Sequence, residues 1–211
     1  KRLTESIPDL RFFSAESYHA DYGVIKYDYQ VESPVAWLAA KDFLSENIES
    51  YNPQIVNNAE KISWLRTQFT TLSFRVYKNQ QILNTVLYYQ RPPASAARID
   101  RHFAHLVPPL AAAQCNALAN YMFGLNAWVR LVAIDFMTPN LYSIKVYFET
   151  DQPELCAPIR RLFFNTENEK ACDHIFDYAK QSHLLFRGLA IVMPSDNADF
   201  RFNFYFNQQK I

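Results

Sequence analysis

Basic and phenolic side chains recur at alternate positions in several stretches of the chain. Ser143, Lys145, Tyr147 and Glu149 share one parity, while Ile144, Val146 and Phe148 take the other. Arg201, Asn203, Tyr205 and Asn207 alternate with Phe202, Phe204 and Phe206. A looser set places Ser73, Arg75 and Tyr77, then Thr85, Tyr89 and Arg91, on one parity. Successive strand residues point to opposite faces of a sheet. One face is then aliphatic and aromatic, and the other holds Lys, Arg, Tyr and Asn in rows. Lys and Arg stabilise negative charge as it develops on a leaving group. Aromatic faces shield a cation once water is excluded. A face that is merely solvated is a common alternative, but it would be expected to carry more Glu and Lys and less Tyr.

The elements that must position these residues come in pairs. Val129–Met137 and Leu141–Glu149 flank Thr138-Pro139-Asn140 and read as strand, turn, strand. Leu184–Met193 pairs with Phe200–Asn207, Thr71–Tyr77 with Ile82–Arg91, and Leu10–Ala15 with Val24–Val31. Tyr89, Tyr147 and Tyr205 close the second strand of three pairs and are 58 residues apart in both intervals, which indicates a repeat. Helical segments separate the pairs. Ser33-Pro34 is a cap followed by Pro at the first helical position, opening Val35–Ser50. Ile55, Ala59, Ile62 and Leu65 form the next helical stripe. Ser95–Leu106, Pro108–Phe123 and Pro153–Phe164 also read as helices, and Thr166 with Glu169 fits a capping box before Lys170–Gln181. The fold class is α+β: repeated ββαα units build one antiparallel sheet with helices on its apolar face. If that sheet closes, the polar rows line a chamber.

Composition narrows the function. Of 211 residues, 49% are apolar and 16% aromatic, enough for a sizeable core and too many for a disordered chain. Gly occurs only at 23, 124 and 188, so no Gly-rich phosphate loop or dinucleotide fingerprint exists. Lys+Arg and Asp+Glu are both 21, which disfavours a nucleic-acid partner. No apolar run approaches the ~18 residues of a membrane span. Cys115, Cys156 and Cys172 lack CxxC spacing and are expected to be reduced thiols in a cytoplasmic protein. His102 and His105 are three apart on an expected helix, but no carboxylate or Cys completes a metal set. No metal site is expected from the residues alone.

Trp128-Val129-Arg130-Leu131-Val132-Ala133-Ile134-Asp135-Phe136, followed by Ser143-Ile144-Lys145-Val146-Tyr147-Phe148, resembles the central hairpin of the soluble aromatic prenyltransferases of the ABBA, or PT-barrel, family. Arg11-Phe12-Phe13-Ser14 resembles an early strand of those proteins. The resemblance implies an antiparallel barrel ringed by helices, with residues 1–211 forming one such domain. It implies transfer of an allylic prenyl group, from dimethylallyl or geranyl diphosphate, to an aromatic acceptor such as an indole or phenol. Lys145 and Tyr147 carry over directly from the matched motif. Repeat position and parity add Lys26, Arg75 and Arg201 as diphosphate contacts, and Tyr89 and Tyr205 with Tyr147 as the cation shield. Asp28 and Glu16 are the nearest carboxylates to accept the ring proton. The resemblance fixes no cofactor: Mg²⁺ stays open because some barrel prenyltransferases use it and some do not.

The chain departs from the family in two ways. The family is longer by at least one repeat, so a repeat lies outside this sequence or the barrel is smaller or open. Glu149 stands where the family often has a basic residue. Two other readings compete with the enzyme. One is a non-catalytic barrel that binds an apolar or aromatic small molecule. The other is a duplicated ββα nuclease-like module, against which zero net charge and the lack of paired acids at helix ends both count.

Overall fold

Turn and cap chemistry sets the element boundaries seen in the computed structural model. The structure describes residues 7, 9–18, 24–31, 33–60, 70–77, 82–90, 109–138, 140–152, 155–163, 166–196 and 201–208. Eight strands are present among them: β1 (Leu10–Tyr18), β2 (Val24–Val31), β3 (Thr70–Tyr77), β4 (Ile82–Gln90), β5 (Trp128–Thr138), β6 (Leu141–Glu149), β7 (Leu184–Pro194) and β8 (Arg201–Gln208). The described helices are α1 (Pro34–Asn47), α2 (Pro53–Glu60), α3 (Pro109–Gly124), α4 (Cys156–Arg161) and α5 (Glu169–Gln181). The expected helix Ser95–Leu106 lies outside the described residues.

The strands form one sheet in the order β1 to β8, with every neighbouring pair antiparallel. Strand pairs alternate with helices, so the fold is mixed α+β with the expected ββ-then-helix order. No pairing joins β1 to β8 among the described residues, and the sheet is open there. Closure into a barrel is therefore not part of the described hydrogen-bond pattern.

The helices lie against one face. α1 buries Ala36, Ala40 and Leu44; α3 buries Cys115, Ala119 and Met122; α5 buries Cys172, Phe176 and Ala179. Each set is an i, i+4, i+7 or i+8 stripe on one side of a helix. Small residues in each stripe let the helix backbone approach the sheet closely. Below them lie Val132, Ile134, Phe136, Ile144, Val146 and Phe148, all essentially inaccessible. Tyr51 packs edge-on against Phe136 at 5.5 Å, and Phe123 against Phe148 at 6.1 Å. Phe176 meets Phe204 and Phe206 at 5.2 and 5.7 Å. Burial of each such aromatic contributes roughly 1.5–3 kcal/mol, so this face supplies the driving force for folding.

Ser33 caps α1 as its type predicts. Its backbone is extended and its Oγ accepts the Ala36 N–H at 3.1 Å, with Pro34 at the first helical position. Ser33→Ala is expected to cost about 1 kcal/mol, measured by urea denaturation. The capping box expected at Thr166 does not form. Asn168 precedes α5 in a helical conformation and presents no side-chain cap. Thr166 donates its hydroxyl to the Phe163 carbonyl at 2.6 Å instead. A residue already helical before the first turn cannot offer the extended geometry that a capping box needs. At the other ends, Asn126 and His183 take left-handed φ values of 57° and 53° and stop α3 and α5. The Ala127 N–H reaches the Met122 carbonyl and the Asn126 N–H the Phe123 carbonyl, both at 3.0 Å, the two bonds of a Schellman termination.

Candidate functional site

Pairing register assigns the side of the sheet opposite the helices, row by row. Asp28, Ser73, Val86, Asp135, Ser143 and Pro194 are successive partners across β2 to β7. The adjacent row runs Tyr88, Ala133, Lys145, Val192 and Arg201 across β4 to β8. All described helix contacts named above fall on the other face, yet the middle of these rows is buried. Asp28 is 6% exposed, Asp135 5%, Ser143 4% and Lys145 8%, while Ser73, Ala133 and Ala190 are inaccessible.

The buried polar groups are matched in pairs. Lys145 Nζ donates to Asp135 Oδ2 across the β5–β6 hairpin. Ser73 Oγ donates to Asp28 Oδ1 between β3 and β2. Hydrogen bonding of this kind is what permits charge in a buried setting. Arg201 is exposed, stands in the row of Lys145 two strands away, and has no ion-pair partner among the described residues. Two strand spacings put the two backbones about 10 Å apart. The Tyr147 and Tyr205 rings meet at 5.5 Å with a 39° tilt, which forms a two-ring platform beside Lys145. Glu149 is held by Arg130 at 3.0 Å and so is occupied by a cation from its own hairpin.

The other expected site residues are placed by register alone. Lys26 is paired with Glu16 on one side and Arg75 on the other. These three form a row on β1 to β3, three to five strands from Lys145. The expected diphosphate contacts thus fall into two groups, Lys145 with Arg201 and Lys26 with Arg75, and local pairing does not bring the groups together. Tyr89 requires a correction. It pairs with Val132, which pairs with Val146, so its register position lies in the helix-covered rows, as does that of Thr85 opposite Phe136. Tyr88 takes the place in the row of Lys145. The 58-residue period carries the β4–β5 register onto that of β6–β7, but the bulged β5–β6 hairpin pairs one residue out of step with β7–β8, and a slip of one residue exchanges the faces of a strand.

Asp135 and Ser73 were not among the expected site residues. Asp135 had a readable signal: it is the lone acid in the apolar run Leu131–Phe136, ten positions before the one lysine of the next strand. Ser73 had none beyond its parity. Among the described residues no three His, Cys, Asp or Glu side chains converge on a metal position. The cysteines are free thiols. Burial pushes Cys115 up to about 12 and Cys172 up to about 11, with Asp173 adding to the second, so neither is a nucleophile at neutral pH.

Fold and site together define a mixed α+β protein with a meandering antiparallel sheet, helices on one face and a buried, charge-paired polar strip on the other. No helix among the described residues is long and apolar enough to cross a membrane. No protein-family model matches the chain, and no curated protein matches its sequence.

Proposed function

We propose that the chain is an aromatic prenyltransferase of the ABBA type, working on the polar face of a sheet curled toward a barrel. The observation that carries this reading is the buried Asp135–Lys145 pair with the Tyr147–Tyr205 platform beside it and Arg201 in the same row. A buried ion pair is poor value for stability compared with apolar side chains of the same volume. Its presence on the face without described helices favours a chemical use. Burial of that face also supports the curl, because the flanking strands of a curled sheet shield its centre.

In this mechanism Lys145 and Arg201 bind the diphosphate of the donor, and Lys26 and Arg75 reach it only where a curl of the sheet brings β2 and β3 across to β6. The bond between the allylic carbon and the diphosphate oxygen breaks, and the electron pair leaves with diphosphate. Tyr147 and Tyr205 present their faces to the allylic cation as one platform and keep water from it. An aromatic ring carbon attacks, the new carbon–carbon bond forms, and a carboxylate, Asp28 or Asp135, takes the ring proton. Contacts to the leaving diphosphate strengthen as charge develops and so lower the barrier rather than only tighten binding. Were Mg²⁺ to accompany the donor, Asp28 or Asp135 would be the carboxylate to hold it, and it would supply positive charge for the leaving diphosphate.

A second reading draws on one specific observation. Asp135 already neutralises Lys145, which suits a non-catalytic site for an uncharged aromatic molecule. Incubation with dimethylallyl and geranyl diphosphate and a panel of indoles and phenols, with and without Mg²⁺, separates the two. Prenylated product is expected, with diphosphate binding by calorimetry. Binding of acceptors alone, with neither product nor diphosphate binding, would establish the second reading in its place.

A further inference from the structure

β8 is the last strand of the sheet, and its outer edge pairs with no strand among the described residues. An open edge offers a row of backbone donors and acceptors to another strand, and proteins usually blunt it with Lys, Pro or a bulge. β8 contains no Lys or Pro, carries its one charge at the first position, and pairs in unbroken order along its own length with β7. Phe202, Phe204 and Phe206 point to the helix side and stay only half-buried, whereas Phe148 and Phe186 on interior strands are essentially inaccessible. The helix above has a matching open flank. α5 sits over β7 and β8, since Phe176 meets Phe186, Phe204 and Phe206. Asp173 and Asp177 on one flank are held by Arg160 of α4, and α4 is tied to α3 by the Tyr121 hydroxyl, which donates to the Pro158 carbonyl. At about 100° per residue, Ile175 and Tyr178 fall on the flank away from α4, toward the free edge. They are 39% and 66% exposed.

We propose that this edge is a homodimer interface, in which β8 pairs antiparallel with β8 of a second copy about a twofold axis and the two sheets become one. A helix centred over β7 and β8 would stand about 10 Å from its twin across that axis, the spacing of packed helices. One partner then covers both the strand edge and the flank of Ile175 and Tyr178, whereas a lone added strand would leave that flank open. The strand is also self-complementary. With Phe204 opposite its twin, Phe202 faces Phe206, Asn203 faces Tyr205 and Arg201 faces Asn207. Every Phe stays on the helix side and no two arginines meet. An edge about 27 Å long and two layers deep buries on the order of 1,000 Å² in total, enough for a specific but weak dimer. The chain's own β1 pairs only with β2 among the described residues, so it does not fill the edge.

The test is sedimentation velocity of the whole chain from about 1 to about 100 µM, the range in which a weak interface of this area fills. A species of twice the 24.7 kDa of one chain is expected to grow with concentration. Ile175→Lys with Tyr178→Lys, both at exposed helical positions, should fold normally and weaken the dimer at least about tenfold through like charges across the axis. Asn207 tests the register in a way that misfolding cannot mimic. Asn207→Arg places like charge opposite Arg201 of the second copy, twice per dimer, and should weaken association about fivefold, whereas Asn207→Asp should tighten it about fivefold. A parent chain that stays monomeric at about 100 µM would overturn the proposal and leave the edge to β1 or to a different protein. So would a dimer indifferent to the helix variant, or Asn207 variants that shift association in the same direction. None of these outcomes depends on whether the chain transfers prenyl groups.

Discussion

Asp135→Ala is expected to destabilise the protein by about 3–5 kcal/mol, the cost of leaving one member of a buried ion pair without its partner. Lys145 would remain charged at a position 8% exposed, with Ala133 and Val192 as its cross-strand neighbours and no other described acid beside it. Urea denaturation measures the loss. The double variant Asp135→Leu with Lys145→Met removes both charges and keeps the volume, and it should return to within about 1 kcal/mol of the parent. The same double variant separates folding from chemistry. If Lys145 stabilises a leaving diphosphate, the refolded double variant should lose turnover by roughly 100-fold or more, as removal of one transition-state donor does. Parental turnover in a stable double variant would reject Lys145 as the diphosphate contact and leave the enzyme class standing. A single variant as stable as the parent would mean that the pair is not held in the buried geometry described.

The strand pairs were legible because each is bounded by residues that cannot continue a strand, such as Pro139-Asn140 and Pro194-Ser195. Their faces were legible on β8, where Phe alternates with polar residues without interruption and burial follows the same alternation, and on β6, where apolar and polar types alternate although both faces are buried at its middle. On β4 the faces were not legible. Thr85 and Tyr89 look polar and Val86 and Tyr88 do not contrast with them, so the pattern carries no face information, and the period chose the wrong parity. The register that breaks the period lies inside the hairpins, where the irregularities of β5–β6 and β7–β8 fall at different places, and no local sequence pattern marks them. The same limit hid the site. Lys145 and Tyr147 could be picked out by type, but the partner that holds Lys145 is fixed by the hairpin register of Asp135 opposite Ser143. Lys26 and Arg75 lie on β2 and β3, and only a curl of the sheet would join them to Lys145 on β6, which no local pattern encodes.

Gly188→Ala is expected to cost at least about 3 kcal/mol, at the upper end of overpacking effects, because the obstruction is main chain. Gly188 lies on β7 between Glu149 of β6 and Tyr205 of β8, directly after the irregularity at Phe186. A Cβ there would collide with the Phe148 carbonyl oxygen and lie 3.0 Å from its carbon and 3.1 Å from the Glu149 Cα. A side chain could rotate away, but a carbonyl in a ladder can move only if β6 and β7 separate locally. For a chain of this size, a loss of that order lowers Tm by roughly 6–12 °C. Gly124→Ala is the matched control: its Cβ would meet nothing within 4 Å at the last position of α3. Ala there should be neutral or stabilise by up to about 1 kcal/mol. Separation of β6 from β7 would also part Tyr147 from Tyr205, whose rings sit on the two strands flanking β7. If the chain works as proposed, Gly188→Ala protein that remains folded at low temperature should therefore lose both prenyl transfer and diphosphate affinity, since the separation parts Lys145 from Arg201 as well as Tyr147 from Tyr205. A parental melting temperature for Gly188→Ala would refute the close approach of β6 and β7, and with it the placement of the two rings.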